Sequence, residues 1–140
     1  MTLELTNERV FSFDGPNLCL LGNPQDFRLL AEAILQLTGS VEGSKTVELT
    51  ELPFIKVTGD KRSVLFSCKK DSRCLGSVNQ AGDAIFELDG RVWERLFILF
   101  TLMSWNKCTY YLNAYESYLS DLNLAQECNF ICSSEFDHLS

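Results

Sequence analysis

Residues 23–39, NPQDFRLLAEAILQLTG, decide how the rest of the chain is read. Asn23 can cap a helix through its side-chain oxygen, and Pro24 fits the first turn, where its missing N–H is not needed. Asp26 sits well beside the positive helix N-terminus. Phe27, Leu30, Ala31, Ile34 and Leu37 then recur at i, i+3, i+4, i+7 and i+10, a single apolar stripe, and Gly39 closes the segment. The pattern predicts an amphipathic helix over 24–38 with one face on a core.

Working outward, residues 9–13 alternate, 14–17 (DGPN) form a turn signal, and 18–21 (LCLL) are apolar, which reads as a β-hairpin leading into the helix. Beyond it, strand-like runs at 46–49, 54–57, 63–68, 74–78 and 84–88 are separated by turn residues at 58–61, 71–72 and 81–83. This spacing favours an antiparallel meander. Asp89 is the expected cap of a second helix over 90–104. Ten of the fourteen residues from 92 to 105 are apolar, more than one core-facing stripe uses. That helix is therefore buried on most sides, or segment 92–105 also meets a second copy of the chain as a homodimer. Residues 109–115 suggest a strand, Tyr115, Tyr118, Leu119 and Leu122 a short helix, 129–133 a last strand, and 134–140 a frayed tail.

A shift of 66 residues sets Asn23 on Asp89, Phe27 on Trp93, Leu30 on Leu96, Ala31 on Phe97, Ile34 on Phe100 and Leu37 on Met103. Any two amphipathic helices can be slid into such register, so the echo is weak evidence of duplication. It does suggest that two helices follow strands of one sheet. The expected architecture is a single α+β domain over 1–140: a mostly antiparallel sheet with helices 24–38 and 90–104 packed on one face, a two-layer sandwich.

Composition narrows the function. With 140 residues and 46% hydrophobic content, the chain can build an ordinary core without a metal or disulfide. Its net charge of −7 argues against a general nucleic-acid or anionic-membrane binder, since both surfaces are polyanions. The greasiest run, 96–100, is far shorter than the about 20 residues of a membrane span. Nothing near Met1 combines a basic leader with a long apolar run, so a cytoplasmic location is expected.

Six cysteines (19, 68, 74, 108, 128, 132) lack zinc-knuckle spacing, and the single histidine, His138, lies near the C-terminus. Inert thiols are expected, with no metal and no cofactor. Nor is there a nucleophile elbow, phosphate loop or dinucleotide fingerprint, so the expectation is a non-enzyme.

Charge is uneven. Residues 56–73 carry a net +4 on a predicted hairpin, read as lysines guarding exposed strands, with an anionic-ligand site as the alternative. Residues 108–140 carry −5, and all four tyrosines fall at 110–118. Tyrosine supplies contact area at low entropy cost, and neighbouring carboxylates steer a basic partner. Tyr110, Tyr111, Tyr115, Glu116, Tyr118 and Asp121 are therefore the candidate partner-binding residues. The reading is a small acidic protein that binds and neutralises a basic protein, in the manner of an immunity protein. The alternatives are a homodimeric small-ligand or regulatory domain, and an enzyme without a recognisable motif.

Overall fold

The computed structural model describes residues 1–10, 13–39, 45–112 and 119–136. Two capped helices organise it. In α1 (Pro24–Ile34) the Asn23 side chain accepts from the Asp26 backbone N–H at 3.0 Å, and the Asp26 carboxylate accepts from the Asn23 N–H at 3.0 Å, closing a capping box. A 3-10 turn at Leu35–Leu37 extends the helix. In α2 (Gly90–Met103) the Asp89 carboxylate accepts from the N–H groups of Arg91 and Val92. A β-carbon on Gly90 would lie 1.6 Å from the Gly39 carbonyl oxygen, so only glycine admits this approach. The start of α2 thus meets the end of α1, while Phe27 and Phe100 meet at the opposite ends, 6.0 Å between centroids. The helices run antiparallel.

The strands are β1 (Thr2–Thr6), β2 (Asn17–Leu21), β3 (Lys45–Glu48), β4 (Lys56–Val57), β5 (Val64–Cys68), β6 (Arg73–Val78), β7 (Ala84–Leu88), β8 (Thr109–Leu112), β9 (Ala125–Gln126) and β10 (Asn129–Ser133). They form two five-stranded sheets, β4-β1-β2-β10-β8 and β3-β5-β7-β6-β9. The α+β class is as expected, and antiparallel ladders hold the larger share of the paired residues. The division into two sheets was not expected, and parallel pairs alternate with antiparallel ones across both.

Three local expectations are corrected. The first arm of the N-terminal hairpin is β1, where Leu3 and Leu5 alternate with Thr2, Glu4 and Thr6, whereas Val10 and Phe13 make only an isolated bridge. β5 and β6 are not a hairpin, because β7 inserts between them, parallel to β5 and antiparallel to β6. Residues 134–136 are not frayed: the Ser134 N–H donates to the Cys108 carbonyl at 2.9 Å, the Phe136 N–H to the Gly22 carbonyl at 3.0 Å, and Ser134 is fully buried.

The two sheets repeat one pattern. In each, a hairpin (β1–β2 or β6–β7) leads into a helix, and a strand from the other half of the chain (β10 or β5) pairs parallel with the second hairpin arm. The Val64–Ala84 pair corresponds to Phe130–Leu18 through the same 66-residue shift seen in the helices. The parallel edge pairs Thr2–Lys56 and Leu3–Val57 have counterparts in Cys74–Ala125 and Leu75–Gln126, at offsets of 72 and 69 residues rather than 66. The halves are interlocked, since 2–68 sends β3 and β5 into the second sheet and 73–133 sends β8 and β10 into the first.

The core between these layers is aromatic. Phe66, Phe86, Phe130 and Phe100 are all fully or almost fully buried, and Phe130 lies 6.0, 5.2 and 6.5 Å from the other three by ring centroid. Trp93 lies 4.9 Å from Phe66 by ring centroid, tilted by 40°, and donates its indole N–H to the Ser67 carbonyl at 3.0 Å, which satisfies its polar atom.

Candidate functional site

Strand alternation gives the first sheet two faces. Leu3, Leu18, Leu20, Leu112, Phe130 and Cys132 belong to the buried core cluster. The opposite face carries two cross-strand rows set by register: Glu4–Cys19–Ile131–Tyr111, and Thr2–Leu21–Ser133–Thr109. Together with Val10, Thr58, Glu135 and Phe136, these rows line a trough of about 530 Å³.

The trough has an apolar floor and an acidic rim. Cys19, Ile131 and Leu21 lie along its middle, with Phe136, about half exposed, beside them. The Thr109 hydroxyl donates to Glu135 Oε2 at 2.5 Å and lies 2.8 Å from Ser133 Oγ. On the other side the Thr58 hydroxyl donates to Glu4 Oε2 at 3.4 Å. The short contact to Thr109 orients Glu135, whereas the Thr58 proton is shared between Glu4 and the Leu3 carbonyl, also 3.4 Å away. Glu4 also borders a second depression, about 420 Å³, lined by Glu8, Asp60 and Arg62 among others. Arg62 is held there, 3.8 Å from Asp60 and donating to the Ala81 carbonyl at 2.6 Å. The lining of the two depressions carries Glu4, Glu8, Asp60 and Glu135 against that one arginine.

The candidate residues from the sequence do not gather into one face among the described residues. Tyr111 lines the trough, its ring 5.2 Å from Phe13, while its neighbour Tyr110 points the other way and packs against the core cluster. Asp121 is tied to α2: Arg95 donates to its two carboxylate oxygens at 3.2 and 2.9 Å, and the guanidinium holds this carboxyl below its usual range. Tyr115, Glu116 and Tyr118 lie outside the described residues. Sequence reading missed Glu4, Cys19, Ile131 and Glu135. Alternation in 2–6 was the available signal for Glu4; the others meet only through pairing of distant strands.

Arg62, Lys69 and Arg73, three of the six cations of the basic segment, are drawn into intramolecular pairs. Lys69 lies 3.8 Å from Glu87, and Arg73 bridges the Asp89 carboxylate at 2.8 Å and the Leu122 carbonyl at 2.7 Å.

The six cysteines are free thiols. Burial pushes Cys19 up to about 11 and Cys128 to about 12, and raises Cys132 well above its ordinary value; Cys68 and Cys74 are raised by the same cause. A thiol so shifted is a poor nucleophile near neutrality, because the thiolate is the reactive form. Among the described residues no three His, Cys, Asp or Glu side chains are placed to hold a metal, and no helix is long and apolar enough to cross a membrane.

Comparison with known proteins returns no match: no family model fits the sequence, no curated protein is significantly similar to it, and no solved structure is significantly similar to its fold.

Proposed function

We propose that the chain is a non-catalytic, cytoplasmic binding protein that holds a basic partner protein in the trough on the first sheet. The observation that carries this reading is the pairing of an apolar floor with rim carboxylates on Glu4 and Glu135. An extended segment alternating aliphatic and basic side chains fits it, with aliphatic groups against Leu21 and Phe136, above the buried Cys19 and Ile131, and cations at the rim. Charge of opposite sign steers the encounter and fixes the register, while the apolar floor supplies affinity. The overall charge of −7 favours the same partner.

The test is calorimetric titration with a synthetic peptide alternating lysine and leucine, against one alternating glutamate and leucine. The lysine peptide binds, the glutamate peptide does not, and Glu4→Gln with Glu135→Gln weakens binding by about tenfold or more. Equal binding of both peptides, or no effect of the double substitution, overturns the reading. The trough volume also lies within the range of small-molecule sites, which favours a small amphiphilic cation as a second reading. In that case a short alkylammonium saturates the trough and the peptide adds nothing.

A further inference from the structure

The trough and the second depression form one continuous face. Glu4 lines both, and the chain that borders the trough at Thr58 borders the depression at Gly59 and Asp60. The charge of the lining changes across Glu4. Among the described residues the trough holds Glu4 and Glu135 and no cation, whereas the depression holds Arg62. Glu4 and Glu8 make no ion pair among the described residues, and the Glu4 charge reaches the floor, where it adds to burial in raising the Cys19 thiol. Arg62 is placed by a turn and not by these carboxylates. Its shortest contact is to a neutral group, the Ala81 carbonyl at 2.6 Å, while the largely exposed Asp60 stays 3.8 Å away. The guanidinium lies against Gly82, where a β-carbon would stand 3.1 Å from its Nε and Cζ. That glycine has φ +87°, a left-handed value it adopts without strain. The turn is itself tied down: the Gly82 N–H donates to the Asn79 carbonyl at 3.0 Å, and the Ser63 N–H, next to Arg62, donates to Asp83 Oδ1 at 2.8 Å. A cation held this way keeps its place when a ligand arrives.

We infer that Arg62 is a specificity-determining residue of the binding face: it ends the cation-accepting stretch at Glu4, so that a basic run continuing past Glu4 gains no affinity. The inference rests on the binding reading above and says which basic partners that face selects. A long polybasic tail would otherwise profit from Glu8 and Asp60. Both are exposed, so water and salt screen them, whereas the Arg62 side chain is 42% exposed and pinned. Its repulsion therefore offsets their attraction. Discrimination between partners commonly needs such an unfavourable element set against the wrong one. The partner that fits carries a short basic and aliphatic segment matched to the trough, flanked on the Glu4 side by neutral or acidic residues.

The test is a binding cycle between the protein and the peptide, read by calorimetry with circular dichroism as the check on folding. The peptides are the alternating lysine and leucine peptide and the same peptide extended by three further lysines at either end. On the unaltered chain neither extension adds more than about twofold in affinity, whereas on Arg62→Gln the extension at one end adds about tenfold. Arg62→Lys keeps the charge, loses the planar seat on Gly82, and behaves as the unaltered chain does. The gain on Arg62→Gln disappears in about 0.5 M salt, as a charge effect must. Equal gains from extension on both chains overturn the inference. So does an Arg62→Lys chain that behaves like Arg62→Gln, since the shape of the turn would then be the cause. In both of those outcomes the short peptide still binds and the binding reading stands. A short peptide that binds neither chain overturns that reading, and this inference with it.

Discussion

At the scale of single residues, burial decides what the thiols do. Cys19 and Cys128 are raised to about 11 and about 12 because burial strips water from the thiolate that ionisation would form. A group whose folded value lies above its unfolded value contributes stability that is whole below the unfolded value, here 9.0, and is lost as pH climbs toward and through the folded one. The unfolding free energy from urea titration should fall between about pH 8 and about pH 10, by an amount of order 1 kcal/mol per thiol. In the Cys19→Ala, Cys128→Ala double variant that alkaline fall should flatten; an identical slope would mean other groups cause it.

At the scale of elements, each helix cap also holds a cation. Asn23 and Asp26 satisfy each other's backbone N–H groups at the start of α1, and the buried Asp26 carboxylate lies 3.3 Å from the Met1 ammonium. Asp89 caps α2 and, almost fully buried, also receives the Arg73 guanidinium at 2.8 Å, which in turn reaches the Leu122 carbonyl. Asp89→Ala removes a cap and leaves a partly covered guanidinium without its anion, at a cost of about 2–3 kcal/mol. Asp89→Asn keeps the cap and should lose about 1 kcal/mol. Denaturant unfolding separates the two; equal losses would show that the ion pair, and not the cap, carries the effect. The same level explains why Tyr110 and Tyr111 do not share one face. Tyr110 and Tyr111 are consecutive on a strand, so alternation sends one to the core and the other to the trough.

At the scale of the whole molecule, strand exchange between the two halves governs cooperativity. Residues 1–70 contribute β3 and β5 to a sheet whose other members come from the second half. The aromatic centre likewise draws Phe66 from the first half and Phe86, Phe100 and Phe130 from the second. Neither half can bury its apolar face alone. A fragment of residues 1–70 should show no cooperative unfolding, and mixing it with 71–140 should restore a single transition by circular dichroism. A cooperative transition in either isolated fragment would show that the exchange is dispensable.

Local chemistry was legible along the chain. Asn23 and Asp89 are caps because their short polar side chains reach free backbone N–H groups of their own first turn, and 24–34 is a helix because its apolar residues recur with the helical period. The runs at 64–68, 84–88 and 129–133 are strands for equally local reasons. What tertiary structure alone decided is which strands meet. The parallel pairing of β5 with β7 and of β2 with β10 joins residues far apart in sequence, and its energy resides in the shared core rather than in any turn signal. The trough follows from that pairing: Glu4, Cys19, Ile131 and Tyr111 form a row because four strands from both ends of the chain align there. Sequence determines the period of each element, because period is a property of neighbours; it leaves the site unmarked, because the site is a property of register.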